Sequence, residues 1–225
     1  MDKFSRLSSL IGTEKVTALK NKHVAIFGLG GVGGFVCEAL VRSNIGEFSL
    51  IDNDVVDITN FNRQIIATNE NLGKKKVEAM TERILSINSG AIIHKYDLFF
   101  SNENVDLIDF SNVDYIVDAI DSIQSKIALI KIAKEKNIPI ISSMGTARKM
   151  NPMGFIVSDI SKTETDPLAR NIRLKLRKEG INHLKVVYSK EKPLECNDNA
   201  LGSNAFVPSS AGLLIASEVI KDLIK

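Results

Sequence analysis

The residues best suited to chemistry gather in three places: the glycine run Gly28-Leu29-Gly30-Gly31-Val32-Gly33, the acid-rich stretch Asp52-Asn53-Asp54, and the cations Arg63 and Lys76. Glycines at that spacing let the backbone turn sharply and approach a polyphosphate. A helix starting there aims unpaired N–H groups and a partial positive charge at the same ligand. Asp52 lies about 20 residues further on, at the end of an apolar run, where a carboxylate can accept hydrogen bonds from ribose hydroxyls. A nucleotide is the first ligand to consider, and these two features alone would suit NAD. The next residues shift the balance, because Asn60-Phe61-Asn62-Arg63-Gln64 is polar where a dehydrogenase would continue into a helix. The planar fork of Arg63 and the point charge of Lys76 suit a triphosphate better than a dinucleotide. Asp121 follows the apolar run at 115–117 and so falls just past the carboxyl end of a sheet strand, where an acid can hold Mg²⁺ between phosphates.

Positioning these groups requires a sheet. Apolar, β-branched runs at 24–27, 47–51, 92–96, 115–117 and 138–142 predict strands, and three- and four-residue apolar spacing predicts helices at 32–43, 74–87, 123–136 and 208–225. A further strand at 155–160 and a charged helix at 166–178 follow Gly145 and Pro152. The alternation gives an α/β class: a Rossmann-like, mainly parallel sheet with helices on both faces, plus a C-terminal substrate-facing extension. The expected organisation is one domain over 1–225, with an N-terminal helical segment (1–22), a nucleotide-binding core (23–144) and a substrate-facing, dimerising part (145–225). The polar stretch 193–204 reads as a flexible loop ordered by ligand.

A chain of 225 residues can bury a large core without staples. Its two cysteines, Cys37 and Cys196, lie far apart and outside any CxxC pattern, which argues against a disulfide framework, a zinc ribbon or a tightly bound structural zinc. The N-terminus lacks an apolar signal core and no stretch has bilayer length, so no membrane span and a cytoplasmic location are expected. The net charge of +2 does not by itself argue for nucleic acid. Between 162 and 192, however, Arg170, Arg173, Lys175, Arg177, Lys178, Lys185, Lys190 and Lys192 could give one face a positive field, or simply a solvated surface. Cys37 reads as core. Cys196, in the polar loop, could accept sulfur or form a thioester, although no flanking motif lowers its pKa. His23, His94 and His183 lack triad spacing and read as structural. Asp121 could instead cap the helix near Ser122. From the residues alone, Arg6 is an ordinary surface residue and Lys74 and Lys75 are solvated.

These residues, in this order, resemble the ubiquitin-activating-enzyme-like superfamily, whose members use ATP to activate a carboxylate. Within it, Phe4-Ser5-Arg6 with Ile11-Gly12-Thr13-Glu14, the run from Ser142 to Ala147, the run from Ser161 to Pro167 and the run from Ser203 to Ser209 are similar to the tRNA threonylcarbamoyladenosine dehydratases. The resemblance implies a homodimer that binds ATP and Mg²⁺ and cyclises threonylcarbamoyladenosine beside the tRNA anticodon. It places Gly28, Gly30, Gly31 and Gly33 against the nucleotide, Asp52 with neighbouring Asp54 at the ribose end, and Asn62, Arg63, Gln64 and Lys76 around the phosphates. Asp121 is then the acid nearest the metal, Lys126 lies near the nucleotide, and Arg6 reaches the phosphates from the partner subunit. The catalytic set it implies is Arg6, Arg63, Lys76 and Asp121.

Such a reaction must turn a carboxylate oxygen into a leaving group before the ring can close. The nearest rival is adenylation of a small sulfur-carrier protein's C-terminus, which would bring a sulfur-transfer partner; the lack of paired CxxC motifs counts against it. A nucleotide-binding scaffold without turnover is the third reading.

Overall fold

The computed structural model describes residues 2–195 and 201–225; Cys196 and the middle of the 193–204 stretch lie outside the described residues. Seven strands, β1 (His23–Phe27), β2 (Glu47–Ile51), β3 (Ile92–Tyr96), β4 (Tyr115–Asp118), β5 (Ile140–Ser143), β6 (Phe155–Asp159) and β7 (Lys185–Ser189), form one sheet in the order β3-β2-β1-β4-β5-β7-β6. Every pairing is parallel except that of β6 with β7. The helices are α1 (Ser5–Ile11), α2 (Thr13–Leu19), α3 (Gly33–Arg42), α4 (Lys76–Ile87), α5 (Ile123–Glu135), α6 (Pro167–Lys178) and α7 (Phe206–Leu223). The expected class, an α/β mainly parallel sheet with helices on both faces, is the one observed.

The period of two along the strands sorts the core. Val24 and Ile26 of β1 with Phe48 and Leu50 of β2 join a cluster containing residues of α3, α4 and α7. Ala25 and Phe27 face the opposite way, into a cluster containing residues of α5 and α6. The sequence did not reveal β7. Its residues lie inside the basic stretch 162–192, yet Val186, Val187 and Tyr188 are buried because β7 is inserted between β5 and the returning β6. Gly12, at φ +93°, breaks the N-terminal helical segment into two short helices.

Two ion pairs are sealed behind the loops at the carboxyl ends of the strands. Lys126 of α5 puts its Nζ 2.9 Å from Asp118 Oδ2 and 3.3 Å from Ser142 Oγ, and Ser142 Oγ donates to the same carboxylate. All three side chains are inaccessible to water. Lys149 lies 3.1 Å from Asp166, whose other oxygen accepts the Ala169 N–H and caps α6. Each pair ties a helix or loop to a neighbouring element, and losing one member would strand a charge in the interior.

Candidate nucleotide site

The order of the strands reverses at β1, with β2 on one side and β4 on the other, and this is where open α/β sheets bind ligands. The chain leaves β1 through Gly28 at φ +89°, where a Cβ would meet the Ala119 carbonyl oxygen at 2.6 Å. At Gly33 a Cβ would fall 1.8 Å from the Gly28 oxygen, so only glycine lets α3 begin against the turn. No side chain caps α3; the amides of Gly34, Phe35 and Val36 donate to the Gly30 and Val32 carbonyls, so the turn before the helix is the part left to face an anion.

A cavity of about 490 Å³ opens above this turn, lined by Gly28, Gly30, Gly31, Asp52, Asp54, Arg63, Gln64, Lys76 and Asp121 among others. Asp52 spans two tasks. Its Oδ2 accepts the Leu29 N–H at 2.7 Å and braces the glycine turn, and its Oδ1 accepts the Asp54 N–H at 2.9 Å. A carboxylate oxygen has a second lone pair, so ribose can still be accommodated. Lys76, the first residue of α4, is 5% exposed, with Nζ 2.6 Å from Asp54 Oδ2 and 4.0 Å from Asp52 Oδ1. Asp54 is open to solvent, so a phosphate oxygen can compete for that ammonium. Helix α4 starts two residues later than expected because Lys75 forms an isolated bridge with Val55.

Arg63 donates from Nη1 to the Thr59 carbonyl and to Asn62 Oδ1 at 2.8 and 2.9 Å, which fixes the guanidinium at the rim with its other donors unengaged among the described residues. Gln64 is buried in the cavity wall, and its Oε1 has no hydrogen-bond partner. An amide so placed can turn either end toward a ligand. Asp121 is exposed and makes no hydrogen bond or ion pair among the described residues. Ser122 caps α5 through its own hydroxyl, so the capping role is not Asp121's.

Four expected site residues sit elsewhere. Lys126 does not line the cavity; successive helix positions point about 100° apart, so Ser125 faces the cavity while Lys126 turns into the sheet toward Asp118. Asn62 does not line the cavity either; its amide ties the loop to the Ser203 carbonyl at 2.9 Å. Gly33 lies beneath the turn rather than on the wall, and Arg6 is exposed on α1, outside the cavity of the single chain.

Sequence reasoning missed the remaining walls. Leu98, Phe99 and Phe100 close one side, and Thr146, Ser203 and Pro208 close another. The paired phenylalanines Phe99 and Phe100, shortly after β3, were the available signal for the first group. Thr146 and Ser203 lay in stretches recognised for their resemblance, without a role assigned. Cys37 is buried in α3, and burial pushes its thiol pKa up, so it is no nucleophile.

The basic stretch divides. Arg173 donates to the Ile160 and Thr163 carbonyls, and Lys185 pairs with Glu218 and Asp222, so both are structural. Arg170, Lys175, Arg177 and Lys178 are exposed along α6. A separate hollow of about 560 Å³ is lined by residues between Thr163 and Leu174, away from the glycine turn. Among the described residues no helix is long and apolar enough to cross a membrane.

A parallel sheet, a glycine turn at its switch point and cations converging on it define the class, and the chain belongs to the ThiF family, whose model matches residues 4–225. Within that family its similarity is to the tRNA threonylcarbamoyladenosine dehydratases. The Bacillus subtilis protein of that name is 43% identical over 243 aligned positions, covering 100% of this chain and 96% of the relative. The E. coli tRNA N6-threonylcarbamoyladenosine dehydratase crystallised with ATP superposes with a TM-score of 0.93 at 32% identity, covering 99% of this chain and 93% of that one. An adenylyltransferase and sulfurtransferase from Meyerozyma guilliermondii is 31% identical, but over only 56% of this chain and 30% of that protein.

Proposed function

We propose that this protein is an ATP-dependent tRNA threonylcarbamoyladenosine dehydratase acting in the cytoplasm. It would activate the threonyl carboxylate of the modified adenosine beside the anticodon and close that side chain into a ring. The observation that carries this reading is one cavity holding the glycine turn, Asp52, Arg63, Lys76 and Asp121 in a chain similar to dehydratases along its whole length. The partial likeness to the sulfurtransferase leaves the carrier-adenylating alternative with less support.

In this reading the carboxylate oxygen attacks the α-phosphorus of ATP and pyrophosphate leaves. An atom of the same side chain then attacks the acyl carbon, and AMP departs with the oxygen that is formally lost as water. Ring closure is intramolecular, so holding a compact conformer can contribute about 7–11 kcal/mol. Arg63 and Lys76 would offset charge on the phosphates as they separate, and a donor of this kind is worth about 2.7–4 kcal/mol.

Asp121, a carboxylate at the cavity wall without a partner among the described residues, has the hard oxygen donors that Mg²⁺ takes, and the ion would there neutralise phosphate charge. Arg6 would come from the second subunit of a homodimer, which accounts for its exposure outside the cavity. Exposed Arg170, Lys175, Arg177 and Lys178 would meet tRNA phosphates.

Incubation of the purified protein with ATP, Mg²⁺ and modified tRNA should lower the mass of the modified nucleoside by one water. Unchanged nucleoside mass, with ATP–pyrophosphate exchange appearing on addition of a sulfur-carrier protein, would favour the alternative.

A further inference from the structure

We propose that His23, Glu47 and His94 form a binding site for a zinc-class divalent cation at the end of the sheet opposite the nucleotide cavity. The strand register builds it. His23 of β1 lies directly across from Glu47 of β2, and His94 of β3 lies across from Ser49, two residues along β2, so all four side chains share one face. Glu47 Oε1 is 2.7 Å from His94 Nε2 and 3.5 Å from His23 Nδ1, and the three potential ligand atoms lie within 4.8 Å of one another.

The decisive observation is at His23. The residue is 5% exposed, and its Nδ1 is a buried nitrogen with no hydrogen-bond partner, 3.5 Å from the glutamate oxygen. Its other nitrogen, Nε2, lies 2.9 Å from the hydroxyl of fully buried Ser49. With the Nε2 proton donated to Ser49, the ring is held in one tautomer and the Nδ1 lone pair is presented between Glu47 and His94. A metal-bound histidine is ordinarily oriented in this way through its second nitrogen.

Two imidazoles and a carboxylate are borderline nitrogen and oxygen donors that suit zinc, with water as a fourth ligand. Bonds of about 2.0–2.1 Å in a tetrahedron put ligand atoms about 3.4 Å apart. Bringing the present distances to that value needs chiefly a rotation of His94, which is half exposed on the edge strand. Asp114 is already engaged by the His23 N–H and by Lys22 and is not a ligand. The lack of cysteine pairs in the sequence bears on thiolate zinc sites and leaves this set untouched. Such an ion would clamp β3, which among the described residues pairs with β2 alone.

The test uses tag-free, chelator-stripped protein titrated with Zn²⁺ alone and with Co²⁺ as a spectroscopic probe. Expected is 1:1 binding with the visible absorption of four-coordinate Co²⁺. That absorption should disappear in His94→Ala and Glu47→Gln, and affinity should fall about 10- to 100-fold in Ser49→Ala. His94 is half exposed at the sheet edge, so its alanine variant should melt like the metal-free wild type, and ATP affinity should be unchanged throughout. Absence of 1:1 binding by the wild type, or equal binding by wild type and His94→Ala, would overturn the proposal.

Discussion

The cavity wall and the layer behind it treat charge in opposite ways. On the wall, among the described residues, Asp121 has no partner, Gln64 keeps an unused buried oxygen, and Lys76 leans on an acid that is itself open to water. One layer deeper, Asp118 with Lys126 and Ser142, and Asp166 with Lys149, are closed off with their hydrogen bonds made. On the proposed function, spare bonding capacity marks the groups that would meet a ligand, and saturated pairs mark those that hold the elements in place. The two layers should therefore respond differently to substitution.

The largest effect is expected in the sealed layer. Lys126→Met leaves Asp118 charged and buried without its cation, so urea denaturation should show a loss of about 3–5 kcal/mol. Adding Asp118→Asn should recover part of it. Substitution on the wall should leave stability nearly intact and remove activity: Arg63→Ala or Lys76→Ala is expected to cost about 10²–10³ in turnover, roughly 2.7–4 kcal/mol of barrier, with melting temperature little changed. A wall variant that unfolds while retaining specific activity would erase the distinction.

A smaller, pH-dependent effect is expected at the far edge of the core. Burial pushes the Asp222 pKa up, but hydrogen bonds from Lys185, Lys225 and Tyr115 outweigh it and hold the group at about 2. Because the folded value lies below the ordinary 3.8, this contribution is present above about pH 4 and is lost as pH falls toward 2. Asp222→Asn should lower stability at neutral pH and flatten the acid limb of a stability–pH curve between those values. The smallest effect belongs to α6. Arg170→Ala or Lys175→Ala should weaken tRNA binding evenly across sequences and reduce the slope of log affinity against log salt by about 1.

Local spacing made the front of the site legible. The glycine turn, Asp52 and Asp121 each sit at or just past a strand end, and strands are readable from their apolar runs; Arg63 and Lys76 stood out as cations in the polar stretches that follow β2. What escaped depends on contacts between distant segments. Thr146, Ser203 and Pro208 come from chain far beyond the glycine turn, and the Asn62–Ser203 tie spans 141 positions. Strand β7 was hidden because charge was averaged over its surroundings, whereas its burial comes from insertion between β5 and β6. For Lys126 the family position gives a neighbourhood beside cavity-lining Ser125, while the helix face that turns its side chain to Asp118 depends on packing. His23, Glu47 and His94 acquire meaning only through strand register.

A crystal structure with ATP and Mg²⁺ bears most directly on the central claim. The triphosphate should lie between the glycine turn, Arg63 and Lys76, with the Lys76 ammonium released from Asp54 and the ribose against Asp52. Phosphates directed into solvent, with Arg63 still on the Thr59 carbonyl and Lys76 still on Asp54, would contradict it.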